Sequence, residues 1–255
     1  MSHKQYKGFE PKWVKTPAPA NSYRSIFRWG DPEFFKVPKE SLYKMMKEVF
    51  KLTDDDFKEY SDDIGFDPVD LSDHPVKLAQ EHLDALKAIV GEEGFSVSDY
   101  DRLAVAYGFT AYDILRLRHK IIDSVPDVVL YPDTTEQVEK IVAYSTEHDI
   151  PLYVYGGGSS VTRGVEPVKG GISLDMRRRF NKVLSFNEID QTITVQAGMS
   201  GPDLEKTLQN APELFGAKRQ SSCGHFPQSF EYSSVGGWTV TRGAGQNSTY
   251  YGCIA

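Results

Sequence analysis

Three consecutive glycines, Gly156, Gly157 and Gly158, follow the apolar run "PLYVY" and precede Ser159 and Ser160. Glycine has no Cβ and accepts φ of either sign, so successive N–H groups can converge on one anion. Serine hydroxyls add further donors. The pattern offers a cradle for phosphate or pyrophosphate, and equally a plain tight turn. It is not a Walker loop, because no G-x-x-x-x-G-K-[ST] is present. It is also a poor dinucleotide fingerprint: the glycines are adjacent, and "SSVTRGVEP" is a weak helix start. A second run, "PQSFEYSSVGGWTVTRGAGQNSTYYG", packs Gly236, Gly237, Gly243 and Gly245 among serines, threonines and Arg242. Two such loops in one domain suit a ligand with extended polar parts.

Other chemistry-bearing residues are sparse. Cys223 and Cys253 are the two cysteines, with no Cys/His cluster, so no zinc site is expected and both read as reduced thiols. His74, His82, His119 and His148 fall on helical stretches and suit surface or capping roles. Arg177, Arg178 and Arg179 form a short basic run, read as a solvated turn or strand end. The net charge is -7 and the pI is about 5.4, which argues against nucleic acid as the main partner. No run of apolar residues is long enough to span a bilayer, and "MSHKQYKGFEPKWVKTPAPA" has no secretory core. A cytoplasmic protein is expected.

The elements that must position these loops can be read coarsely. Hydrophobic residues at 40% and charged residues at 25% suit a globular protein of 255 residues. Residues 1–38 read as an extended arm containing "RWGDPEFF". Residues 39–122 read as helical. There "PKESLYKMMKEVFKL" spaces Leu42, Met45, Met46 and Val49 on one stripe. "HPVKLAQEHLDALKAIVG" does the same with Val76, Leu78, Leu83, Leu86 and Ile89, and Gly91 is a plausible stop. "DYDRLAVAYG" and "TAYDILRLRHKI" are two further short helices. From 123 the pattern changes. "PDVVLYP" is a strand, and "TTEQVEKIVAYSTEHDI" is a helix with Thr134 and Gln137 at capping-box spacing and Val138, Ile141 and Val142 as its buried face. "PLYVY" and "GGISLDM" are strands, "NKVLSFNEIDQTITVQAG" is a hairpin, and "SGPDLEKTLQN" is a helix capped by Ser200. The fold class expected is α+β.

The ordered set "PDVVLYPDTTEQVEKIV", "YVYGGGSSV", "DLEKTL" and "HFPQSFEYSSVGGWTVTRGAGQNSTYYG" resembles the PCMH-type FAD-binding domain of the vanillyl-alcohol-oxidase-type flavoproteins. Within that superfamily it is most similar to the alkyldihydroxyacetonephosphate synthase family, through Glu231 to Arg242 and through "RWGDP". The resemblance is good from Val125 to the end and loose before it. It implies a helical N-terminal region followed by an FAD-binding domain over 123–255 that is incomplete at its C-terminus.

It also implies the site. The first loop, Val154, Tyr155, Gly156, Gly157, Gly158, Ser159 and Ser160, would wrap the FAD pyrophosphate. The second segment would be Gln228, Ser229, Phe230, Glu231, Tyr232, Ser233 and Ser234. The third would be Thr241, Arg242, Gly243 and Ala244. The residues agree with this, since small and hydroxylated types let backbone approach a flavin. Arg242 either neutralises the cofactor or pairs with a carboxylate such as Glu231. Trp238 and Tyr232 either pack on the cofactor or sit in the core. Relatives that tether FAD covalently use His or Cys. Here serines stand beside the first loop, and His225 and Cys223 read as packing residues, so FAD is expected to be non-covalent.

The family exchanges the acyl chain of acyl-dihydroxyacetone phosphate for a fatty alcohol without net redox change. Its acid/base tyrosine, histidines and phosphate-binding arginine fall beyond Ala255, so no catalytic residue is assigned, and no metal. A lipid-like substrate implies peripheral membrane contact, and a peroxisomal setting in a eukaryote. A homodimer or a partner chain supplying the rest of the site stays open. The alternatives are an FAD-linked oxidase or dehydrogenase of a 2-hydroxy acid, and a non-catalytic FAD-binding subunit.

Overall fold

A computed structural model describes residues 18–26, 40–56 and 64–254. Most of the expected arm, including "RWGDP", lies outside them. The chain forms two compact units, one of residues up to Val69 with Ile114–Ile121, the other of Asp70–Asp113 with Ile122–Ala255. The helices, in chain order, are α1 (Tyr23–Ile26), α2 (Glu40–Phe50), α3 (Gln80–Val90), α4 (Asp99–Ala104), α5 (Ala111–Arg118), α6 (Thr135–Glu147), α7 (Gly201–Gln209), α8 (Ala211–Phe215), α9 (Val235–Val240) and α10 (Ser248–Tyr251). The strands are β1 (Phe95–Ser96), β2 (Val128–Leu130), β3 (Leu152–Tyr155), β4 (Ile172–Asp175), β5 (Val183–Asn187) and β6 (Thr192–Val195). The fold is α+β.

In the first unit, Ser22 bridges Pro68, and Lys120 pairs with Asp67 at 2.7 Å. Helix α2 has the expected apolar stripe, yet Leu42, Met45 and Val49 are all exposed.

The second unit is built on a four-stranded sheet ordered β1-β2-β4-β3, parallel except for β1. Strands β2 and β4 are buried throughout, as a sheet covered on both faces requires. Helices α3 and α6 cover one face, joining Leu83, Leu86, Val90 and Ile141 to Val128, Leu130, Ile172 and Leu174. On the other face Val105 packs with Val129, Tyr131 and Tyr155. Asp127 fastens the sheet's start: its carboxylate accepts the Lys77 and Gly171 N–H groups, both at 2.7 Å. The β5–β6 hairpin is antiparallel. It packs with α7 and α9 around Met199, Leu204, Leu208 and Trp238.

Several local expectations need correction. Val142 is 44% exposed, while Ser145 is buried in its place. The Ser145 hydroxyl donates to the Ile150 carbonyl at 2.7 Å, which makes a polar residue acceptable there. Thr134 does cap α6, accepting from the Gln137 amide at 3.2 Å. Gln137 reaches one residue further back than a capping box requires, accepting the Asp133 amide at 2.7 Å.

The basic run is not merely solvated. Arg177 forks onto Asp175 at 2.7 and 3.2 Å and lies over the Tyr155 ring at 4.6 Å. Arg178 covers the Tyr131 ring at 4.7 Å. Arg179 reaches the Val90 carbonyl. The glycine-rich "VGGWTV", read as loop, is helix α9. Gly236 is needed inside it because a Cβ there would meet the Ala197 Cβ at 2.7 Å.

Candidate functional site

Strand β3 delivers the triple glycine at the C-terminal edge of the parallel strands, where open α/β sheets bind ligands. The end of β3 is firmly held. Tyr155 is 2% exposed, and its hydroxyl donates to the Ala104 carbonyl at 3.2 Å. Burial pushes this phenol up to about 12, so it stays a neutral donor. The loop then turns through Gly158, whose φ is +70°.

The glycines are bare because other protein occupies the space of their side chains. A Cβ on Gly156 would meet the Ser234 Oγ at 2.5 Å. On Gly157 it would meet the Tyr232 carbonyl oxygen at 1.8 Å, and on Gly158 the Tyr155 hydroxyl at 2.0 Å. The first loop is therefore packed back-to-back with the second. Among the described residues, the amides of Gly156, Gly157, Gly158 and Ser159 donate to no protein acceptor. A run of uncommitted N–H groups on a half-buried loop is a donor set that fits a diphosphate.

The second segment is held from behind. Ser233 and Ser234 are buried, and their hydroxyls are engaged. Ser233 Oγ donates to the Ser229 carbonyl at 2.7 Å and accepts from the Trp238 indole at 2.6 Å. Ser234 Oγ accepts the Gly237 amide at the start of α9. The Gly201 amide donates to the Ser233 carbonyl, and the Val235 amide to the Met199 carbonyl. Phe230 stacks on Trp238. Trp238 is 4% exposed and belongs to the core. Tyr232 meets Phe109 edge-on at 6.2 Å. Gln228 and Glu231 are exposed.

The third segment follows α9. Thr241, Arg242 and Ala244 are exposed and Gly243 is half-buried. Thr241 Oγ1 donates back to the Gly237 carbonyl at 2.7 Å. The Gly243 amide donates to the Trp238 carbonyl at 2.7 Å. Arg242 has φ +50° and no ion-pair partner among the described residues, Glu231 included. The first and second segments are thus in direct contact. The third is tied to the second through α9.

A second cluster lies alongside. His225 is 7% exposed. Its Nδ1 is 2.9 Å from the Tyr251 hydroxyl, and its Nε2 is buried with no hydrogen-bond partner among the described residues. Burial lowers its pKa. Burial likewise raises the Cys223 thiol, which donates to the His225 carbonyl. An open cavity of about 670 Å³ is lined by Cys223, His225, Tyr250 and Tyr251, and by no residue of the triple-glycine loop.

A family model described as "FAD binding domain" matches residues 126–255, just over half the chain. This chain belongs to the FAD binding domain family. The match begins immediately before β2 and takes in both loops and α9, so the packed loop pair lies wholly within the FAD binding domain. The alkyldihydroxyacetonephosphate synthase of Dictyostelium discoideum is 31% identical over 88% of this chain and 36% of its own length. A solved structure of an alkyldihydroxyacetonephosphate synthase superposes with a TM-score of 0.65 at 33% identity, over 71% of this chain and 32% of that one. The mitochondrial D-lactate dehydrogenase [cytochrome] 1 of Saccharomyces cerevisiae is 27% identical over 95% of this chain and 39% of its own length. The chain spans a third to two fifths of these relatives.

Sequence reading passed over Gly108 and Phe109. The Phe109 amide donates to the Ser160 carbonyl at 2.9 Å. In "VAYGFT" the glycine reads as an ordinary stop between helices, and nothing in the sequence ties it to a loop some fifty residues on.

Proposed function

We propose that this chain holds FAD for an ether-lipid-forming synthase of the alkylglycerone-phosphate type. Such an enzyme replaces the acyl chain of acyl-dihydroxyacetone phosphate with a fatty alcohol. The observation that carries the cofactor reading is the back-to-back packing of Gly156 and Gly157 on Tyr232–Ser234, beside a row of amides with no protein acceptor among the described residues. The amides of Gly156 to Ser159 would take the diphosphate, with the Ser159 and Ser160 hydroxyls beside them. Segment Gln228–Ser234 contributes backbone, because the Ser233 hydroxyl already donates and accepts and Ser234 is buried. Arg242, exposed on the third segment, supplies the positive charge. When bound, the flavin supplies the reactive ring; this chain's residues grip and orient the nucleotide. Binding is non-covalent, since His225 is buried against Tyr251 and Trp238 and the first loop offers only serines.

The test is made on the full-length chain, titrated with FAD by quenching of flavin fluorescence. Saturable binding with release of yellow flavin on acid precipitation is expected. Joined to the segments that carry the family's catalytic groups, the chain should then incorporate labelled fatty alcohol into the ketone-phosphate product without flavin reduction. A second reading, a D-2-hydroxy-acid dehydrogenase, is favoured by the dehydrogenase match over 95% of the chain. Bleaching of the bound flavin by D-lactate would replace the first reading with it.

A further inference from the structure

We propose that the Gly108–Phe109 turn is a second support of the cofactor loop and sets how tightly that loop grips a flavin nucleotide. This rests on the reading that the triple-glycine loop holds FAD. The turn precedes residue 126, where the family match begins, so it adds positioning residues from outside the matched domain.

The turn touches both loops. The Phe109 N–H donates to the Ser160 carbonyl at 2.9 Å, and the Phe109 ring meets the Tyr232 ring edge-on at 6.2 Å. Gly108 must be glycine for this approach, because a Cβ there would lie 2.2 Å from the Ser160 oxygen. The turn itself is braced. The Thr110 amide donates to the Asp113 carboxylate at 3.1 Å, and the Asp113 amide donates to Thr110 Oγ1 at 2.9 Å. Asp113 is fully buried.

The loop is thus pinned at both ends, by β3 at Tyr155 and by this turn at Ser160, with its back against Tyr232–Ser234. Its amides, which have no protein acceptor among the described residues, are held in place before any ligand arrives. Preorganisation of this kind raises affinity by removing the cost of ordering the loop on binding. Displacing Ser160 re-aims the last donors of the row while the sheet stays intact.

The experiment compares three variants of the full-length chain by FAD titration, flavin dissociation rate and thermal midpoint without FAD. Gly108→Ala should weaken FAD binding by about tenfold or more, with faster flavin release, as the loop shifts to admit a methyl. Gly171→Ala is the matched control. Its Cβ would lie 2.4 Å from the Pro151 carbonyl oxygen, at the opposite end of β3, and its φ is +77°. It should lower the thermal midpoint and leave the affinity of the folded protein unchanged. Gly164→Ala, with nothing within 4 Å, should change neither. A folded Gly108→Ala that binds FAD like the parent overturns the proposal and leaves the FAD reading standing. If the parent itself binds no FAD, both fall. Should Gly108→Ala fail to fold, Phe109→Ala carries the test. It keeps the amide and loses the Tyr232 contact, with about threefold weaker binding expected; unchanged binding then overturns the proposal.

Discussion

Gly157 lies so close to Tyr232 that a single methyl on it would come within 1.8 Å of the Tyr232 carbonyl oxygen. Two chain segments far apart in sequence are thereby locked as one surface. Gly157→Ala must push them apart, with an overpacking cost of about 1–3 kcal/mol. The expected outcome is a lower thermal midpoint and FAD binding at least about tenfold weaker. Calorimetry and flavin fluorescence read the two effects separately.

Asp127 ties the entry of β2 to its neighbours through the Lys77 and Gly171 amides, both at 2.7 Å. It is 7% exposed. In Asp127→Asn one of those amides faces an NH2 group or loses its charged acceptor, which costs about 1–3 kcal/mol. Urea denaturation should show a lower midpoint with an unchanged slope, and FAD affinity per folded molecule should hold.

Burial lowers the pKa of His225 below its usual 6.5. The unfolded chain therefore takes up a proton at a higher pH than the folded one. Stability is full above about pH 6.5 and falls as the pH drops from there towards the folded value. Thermal midpoints between about pH 7.5 and pH 5.5 should decline less in His225→Gln than in the parent. An equal decline would show that other groups carry the acid sensitivity.

Ser200 caps α7 by accepting the Asp203 amide at 3.1 Å. Ser200→Ala should cost about 1 kcal/mol. Its position beside the Ser200–Ser234 bridge gives the substitution a further readout. Release of bound flavin should quicken slightly if the cap also steadies the second loop.

Much of the framework was legible in the sequence, because short-range physics governs it. The runs "DVVLYP", "PLYVY" and "GGISLDM" are strands, Gly91 ends α3 with φ +76°, and Thr134 and Ser200 cap helices α6 and α7. The ordered set of four segments, from "PDVVLYPDTTEQVEKIV" to "HFPQSFEYSSVGGWTVTRGAGQNSTYYG", carried the resemblance to FAD-binding domains that the family match bears out. Leu83, Leu86 and Ile141 are buried as their spacing predicts, but the full width of each buried face could not be read. Val142 has the hydrophobicity of a core residue and is exposed. Ser145 is polar and buried because one carbonyl, at Ile150, lies within its reach. The arginine run looked like solvated charge until the sheet brought Asp175 and the rings of Tyr131 and Tyr155 beneath it.

The sequence by itself determined that a glycine loop follows a strand, and that a second glycine-rich run exists to meet it. Composition and local spacing are enough for that, since φ preference and hydrogen-bond donors belong to the residues themselves. Only the tertiary structure decided what the bare backbone packs against. The space beside Gly156, Gly157 and Gly158 is filled by Ser234, Tyr232 and Tyr155, and that beside Gly108 by Ser160. Apart from the local Tyr155–Gly158 contact, these contacts come from packing between distant segments, which no local pattern encodes.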